Sequence, residues 1–227
     1  MRINEFEKGI EIHPKLNPKL WAGQHLHADV RSRLKEIAEV FYNFLEVDVA
    51  LTDIIVTGSQ ASKTYTNHSD LDLHLIVPYK DIQCDQTVDE LLDTKRKLWK
   101  QTHTITIYGV PVECYAEDED RPVNGPAYSI VSEQWLRHAP EPGELPEDVD
   151  RITLAWIRVI TAAVKSQDQG NITDVKNLLS QYRRQGLKQQ GELGRANVVY
   201  KTLRNNGVIS LLMQALVQKQ DKELGLD

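Results

Sequence analysis

Between residues 29 and 45 apolar side chains recur every three or four positions, at Val30, Leu34, Ile37, Ala38, Phe41, Phe44 and Leu45. That spacing gathers them on one side of a helix, with Asp29 or a residue just before it as the cap. Ahead of this helix, the two prolines of HPKLNPKLWAGQ (13–24) predict an extended, docked arm. Beyond it the pattern becomes that of strands. DIIVTGS (53–59) is a β-branched apolar run entering a turn, and DLDLHLIV (70–77) alternates, becomes wholly apolar and closes at Pro78. Helical spacing returns over about 86–101, with Val88, Leu91, Leu92, Leu98 and Trp99 on one side. TITIYGVPVECYA (104–116) predicts two strands joined near Gly109, with Pro111 at a strand start or an edge. AYSIVSEQWL (127–136) predicts a strand and a turn of helix.

The Pro- and acid-rich APEPGELPED (139–148) divides this alternating half from one that is helical throughout. Ile152, Trp156, Val159, Ile160, Ala163 and Val164 form one stripe, and Val175, Leu178, Leu179 and Tyr182 another. A third helix ends at RNNG (204–207), whose Asn-Gly suits a left-handed cap, and a last helix covers about 208–220. The expected organisation is an α/β (α+β) part over 1–138 with a mixed sheet flanked by helices. A linker follows at 139–150, and then an α-helical domain at 151–227.

Composition narrows the setting. The chain has 227 residues, 41% hydrophobic and 26% charged, as in an ordinary globular protein. No apolar run reaches the ~18–20 residues that span a bilayer, so no membrane partner is expected. The N-terminus lacks the apolar core of a secretory signal. Cys84 and Cys114 have neither zinc-site nor disulfide-framework spacing, which points to a reducing, cytoplasmic location. In that setting NIT (171–173) is helix-start chemistry rather than a glycosylation sequon. A net charge of −6 argues against tight duplex DNA binding. The charge is uneven: residues 112–150 hold eleven acids against two arginines, and 165–204 hold eight Lys/Arg against three acids. The basic stretch suits a polyanion or simply a solvated helix face.

Three short pieces carry candidate chemistry. In a strand, alternate side chains share a face, so Asp70, Asp72 and His74 point one way while Leu71, Leu73 and Leu75 point into the core. Two carboxylates on one face repel unless cations lie between them, and such an oxygen set suits Mg²⁺; two solvated surface aspartates are the plainer alternative. Gly58-Ser59 follows a strand and is expected to open a short helix at about 60–66. There its N–H groups and hydroxyl would hold an anion, although Gly-Ser is also a common turn. On 112–117, Glu113, Tyr115 and Glu117 share a face opposite Val112, Cys114 and Ala116. If this strand pairs with 70–77, Glu113 completes a carboxylate triad; otherwise it is an exposed edge residue. Lys63 lies one turn after Ser59, within reach of a phosphate or at the surface. His74 shares the acidic face. Lys176, Tyr182, Arg183 and Arg184 are candidates for contacting a triphosphate or acceptor.

The order of TGS (57–59), SDLDLH (69–74) and VECY (112–115) resembles the DNA-polymerase-beta-like nucleotidyltransferase superfamily, in its minimal form. With LNPKLW ahead of the first helix, the layout is also similar to predicted nucleotidyltransferases encoded by tailed phages. The resemblance implies transfer of a nucleoside monophosphate from an NTP, with two Mg²⁺ ions (or Mn²⁺) as cofactors. The acceptor is left open among an RNA end, a protein side chain and a small molecule. It also implies Asp70, Asp72 and Glu113 as catalytic metal ligands and Gly58, Ser59 and Lys63 as nucleotide contacts. Many relatives have aspartate where Glu113 stands. The alternative reading is a catalytically silent nucleotide-binding or antitoxin-like partner protein with the same fold.

Overall fold

The computed structural model describes residues 7–84, 87–121 and 123–225. These fall into two compact units, one of residues 12–141 and one of residues 7–11 with 142–225.

The first unit is a mixed α/β structure. The arm docks as expected, burying Leu16, Leu20 and Trp21 and forming a small hairpin of β1 (Trp21–Ala22) and β2 (His25–Leu26). Helix α1 (Ala28–Leu45) buries Val30, Leu34, Ile37, Ala38, Phe41 and Leu45. It stops at Glu46, which takes the left-handed conformation (φ 55°) with its N–H on the Asn43 carbonyl. Strands β3 (Asp53–Thr57) and β4 (Leu71–Val77) pair antiparallel. Helix α2 (Val88–Thr102) then crosses over to the hairpin β5 (Thr106–Ile107) and β6 (Val110–Asp118). Thr87 caps α2 by accepting a hydrogen bond from the Glu90 N–H, as a residue with a short hydroxyl side chain does at this position. Residue 86, where the sequence begins this helix, lies outside the described residues. The hairpin turns through Tyr108 and Gly109, both at positive φ, which matches the right-handed twist of the flanking strands.

Strands β7 (Ala127–Ser129) and β8 (Gln134–Arg137) complete a six-stranded sheet of order β5-β6-β4-β3-β7-β8. Only the β4–β6 pair is parallel among the described strands. One face of the sheet is buried under α1 and α2: Ile54, Val56, Leu71, Leu73, Leu75, Val112 and Cys114 join Phe41, Leu92 and Trp99 in a single core. At about 25 cal/mol per Å² of apolar surface buried, this packing is the main stabilising term of the unit.

Three expectations need correction. No helix runs over 60–66: Ser59–Ala61 form a short 3₁₀ turn, and Ser62 is already extended (φ −140°, ψ 177°). The Ser62 hydroxyl bonds the Ser59 carbonyl (2.9 Å) and accepts the Thr64 N–H (3.1 Å), so local side-chain bonds replace helical ones. The 127–136 segment is a hairpin rather than a strand and helical turn, with Glu133 at φ 60° in its bend and Trp135 stacked on Trp21. Finally, Leu98, Val159 and Leu178 are exposed despite fitting their apolar stripes. Each stripe is wider than the surface that its helix buries.

The second unit is all-helical: α3 (Val149–Ser166), α4 (Gln169–Gln190), α5 (Arg195–Asn205) and α6 (Val208–Leu224). Its core is built around Ile160, Ile172, Leu179, Val199, Leu203 and Leu212. Asp168 caps α4 through the Asn171 N–H (2.6 Å), so NIT lies within the first turns of that helix. Gly207 takes the left-handed conformation between α5 and α6. Residues 7–11 join this unit through bonds such as Gly9 N–H to Thr202 Oγ1 (3.1 Å) and Asn205 Nδ2 to the Lys8 carbonyl (2.8 Å). No described helix is long and apolar enough to cross a membrane.

Candidate active site

The second face of the sheet carries the sequence-predicted acids, and backbone register decides which of them meet. In β3–β4 pairing Thr57 stands opposite Asp72, and in β4–β6 pairing Asp72 stands opposite Glu113. Residues opposed in this way share a face, so Thr57, Asp72 and Glu113 form one row across three adjacent strands, ~4.8 Å apart by strand spacing. Asp70 immediately precedes β4, on the Asp72 side of the alternation. All three acids are half-buried. The next row holds Ile55, His74 and Tyr115, and the one after it Asp53, Ile76 and Glu117. Ile55, Ile76 and Ala127, with Val123 against them, make a small apolar cluster beside the acidic end.

Gly58 fixes the approach of the turn to this row. Its φ of 74° and ψ of −161° lie in a region that essentially only glycine occupies. A Cβ built there would stand 2.0 Å from Asp72 Oδ2. The Gly58-Ser59 backbone therefore passes directly against the carboxylate. The turn is held by Gln60, which is almost wholly buried. Gln60 accepts from Asn17 Nδ2 (2.9 Å), donates to the Ser69 carbonyl (2.9 Å), and its own carbonyl accepts the Trp21 indole N–H (2.8 Å). LNPKLW thus braces the turn at Gln60, and Gln60 in turn holds the residue before Asp70. The sequence reading missed Gln60 and Asn17; a buried amide inside a turn has no periodicity to betray it.

Glu113 is held by two groups. Lys100 of α2 donates to its Oε1, and the Tyr115 hydroxyl donates to its Oε2 (2.7 Å). Burial pushes the Glu113 carboxyl up, but Lys100, Tyr115 and the nearby Arg96 outweigh it and hold the group below its ordinary value. The Tyr115 ring stacks on His74 (4.6 Å between centroids) and lies 5.2 Å from the Arg96 guanidinium. Burial first, and then the charges of Asp72 and Glu113, raise its phenol well above the ordinary tyrosine value, so it remains a donor. His74 Nδ1 lies 3.3 Å from Glu117 Oε1, without hydrogen-bond geometry.

Lys63 extends to Glu141, with its ammonium 2.6 and 2.8 Å from the two carboxylate oxygens. In the helical unit Arg183 donates to Asn197 Oδ1 (3.2 Å) and covers the Tyr200 ring at 4.3 Å, while Tyr182 lies against Trp156.

Among the described residues no three His, Cys, Asp or Glu side chains converge as a ready-made metal cluster. The backbone brings Asp72 and Glu113 alongside, but Glu113 is turned to Lys100. The donor chemistry fits a hard divalent cation nonetheless: carboxylate oxygens on one face, with a glycine cleared from the Asp72 carboxylate.

No protein-family model matches the chain, and no curated protein does. Two solved structures show a faint likeness. One is a STING-associated CdnE c-di-GMP synthase from Capnocytophaga granulosa, at 11% identity over 87% of this chain and 84% of that one, with a TM-score of 0.21. The other is CdnC of E. coli MS115-1 in complex with HORMA-deltaN, at 17% identity over 81% and 61%, also with a TM-score of 0.21. A likeness this faint supports no conclusion about activity.

Proposed function

We propose that this protein is a cytoplasmic, Mg²⁺-dependent nucleotidyltransferase that moves a nucleoside monophosphate from an NTP onto an acceptor hydroxyl. The acceptor belongs to an RNA end, a protein side chain or a small molecule. The observation that carries this reading is the row Asp72–Glu113 on one sheet face, with the Gly58-Ser59 turn against the Asp72 carboxylate. Asp70, Asp72 and Glu113 would hold the divalent ions. When bound, these ions neutralise phosphate charge and make the acceptor oxygen a better nucleophile.

The chain's own residues then divide the work. Gly58 and Ser59 receive the triphosphate through backbone N–H groups and the hydroxyl, on the β3 side of β4. Glu113 faces the acceptor on the β6 side. The acceptor oxygen forms a bond to the α-phosphorus, the bond from that phosphorus to the bridging oxygen breaks, and pyrophosphate leaves with the electron pair. The acceptor proton passes to solvent or to a carboxylate of the row. Fixing these groups in line supplies most of the catalysis that such a transfer needs.

The pairing of Glu113 with Lys100 favours a second reading, a binding protein that holds nucleotide without turnover. Incubation with Mg²⁺, each labelled NTP and total RNA or lysate separates the two. Label transfer that disappears in Asp70→Asn and Asp72→Asn supports the enzyme. Saturable NTP binding without any product supports the silent protein, and transfer that persists in both variants overturns the site.

A further inference from the structure

The side of the row facing α2 is cationic, although the acids dominate its sequence neighbourhood. Arg96 and Lys100 are one helical turn apart on α2 and converge on the Glu113–Tyr115 edge of β6. Arg96 is partly buried, steadied by two bonds to Asp93 Oδ1 (3.1 and 2.6 Å) and by the Tyr115 ring. The Lys100 side chain is 62% exposed, anchored at its tip by Glu113. Lys97 adds a third positive charge and shares Asp93 (2.6 Å).

Strand order separates these cations from the turn. Gly58-Ser59 follows β3, on one side of β4, whereas Glu113, Arg96 and Lys100 lie on the β6 side. On the function proposed above, that is the acceptor's side rather than the triphosphate's. If Glu113 serves a divalent cation, Lys100 loses its carboxylate partner. Arg96 and Lys97 keep Asp93, whereas the released Lys100 stands one helical turn from Arg96, and the two can meet one anion between them.

We propose that Arg96 and Lys100 form an acceptor subsite for a phosphate group carried next to the hydroxyl that is modified. This rests on the nucleotidyltransferase reading and narrows its acceptor to phosphorylated molecules; polycationic acceptors are disfavoured. The phosphate can belong to a small phosphate ester or to an RNA terminus, and recognition of the group is the same.

The test is a titration of ¹⁵N-labelled full-length protein with inorganic phosphate in the presence of Ca²⁺. It follows the Arg96 Nε–H resonance and the Gly58 and Ser59 amides separately. The expected result is a saturable shift at Arg96, weakened at least fivefold in Lys100→Met and unchanged in Ser59→Ala. Removing Ca²⁺ should weaken it too, because Glu113 then retains Lys100. Glycerol should give no shift; glycerol 3-phosphate and a short RNA ending in phosphate distinguish the two sources by relative affinity. An Arg96 resonance that stays still, or that moves equally in Lys100→Met, overturns the subsite. The parent reading is scored apart from it: a non-hydrolysable ATP analogue that leaves Gly58 and Ser59 unmoved counts against nucleotide binding itself.

Discussion

Strand β4 has two faces of opposite design. Leu71, Leu73 and Leu75 are fully buried beneath α1 and α2, while Asp72 and His74 between them stand half-buried on the other side of the sheet. Strand β6 repeats the division with Val112 and Cys114 against Glu113 and Tyr115. The contrast teaches that one face of the sheet is held by apolar burial and the other by hydrogen bonds and ion pairs such as Lys100–Glu113. Neighbouring like charges cost free energy, and the leucines on the reverse side offset that cost.

Substitutions can break or sharpen this contrast. Leu73→Ala should cost about 2–5 kcal/mol in urea denaturation, through lost burial and a cavity in close packing. A loss below about 1 kcal/mol would mean that the sheet is not held from this side. Gly58→Ala combines a backbone penalty of about 1–3 kcal/mol with displacement of the Asp72 carboxylate. Its fold should survive by circular dichroism while NTP binding, measured by calorimetry, weakens at least tenfold. Gln60→Ala should destabilise by about 1–3 kcal/mol, since Asn17 Nδ2 and the Ser69 carbonyl lose their buried partner. Thermal melts would show it.

Asp72→Asn is the counterpart on the polar face. It keeps the shape of the side chain, so the fold should persist by circular dichroism while nucleotide transfer falls to background. The smallest effect concerns thiols. Burial pushes the Cys114 thiol up to about 12, although a bond with Trp99 pulls the other way. Maleimide at pH 8 should therefore label the exposed Cys84 and leave Cys114 untouched until denaturant is added, a difference read by mass spectrometry.

Much of this fold is legible in the sequence because periodicity reports burial. The alternation of DLDLHLIV and VECYA gives both strands and their faces, and α1 follows from its apolar spacing. What the sequence leaves conditional is pairing. Glu113 is a neighbour of Asp72 only because β6 lies parallel to β4 in that register, and no local pattern specifies a partner strand. The expected helix over 60–66 is absent where the side chains of Ser62, Thr66 and Ser69 satisfy backbone groups, which spacing alone does not reveal. Lys63 reads as a phosphate contact by its place one turn after Ser59; in the structure that turn is a 3₁₀ turn and the Lys63 ammonium meets Glu141. Lys100 was invisible for a related reason. Nothing in its surroundings marks it, and only the crossover brings it to Glu113.

That crossover also ties the polarity of the row to its charge. A parallel pair cannot close through a tight turn, so β6 reaches β4 only by way of α2. The same helix carries Lys100 and Arg96 to the edge of β6. The connection that sets Glu113 beside Asp72 is thus also the element that supplies the cations offsetting their charge.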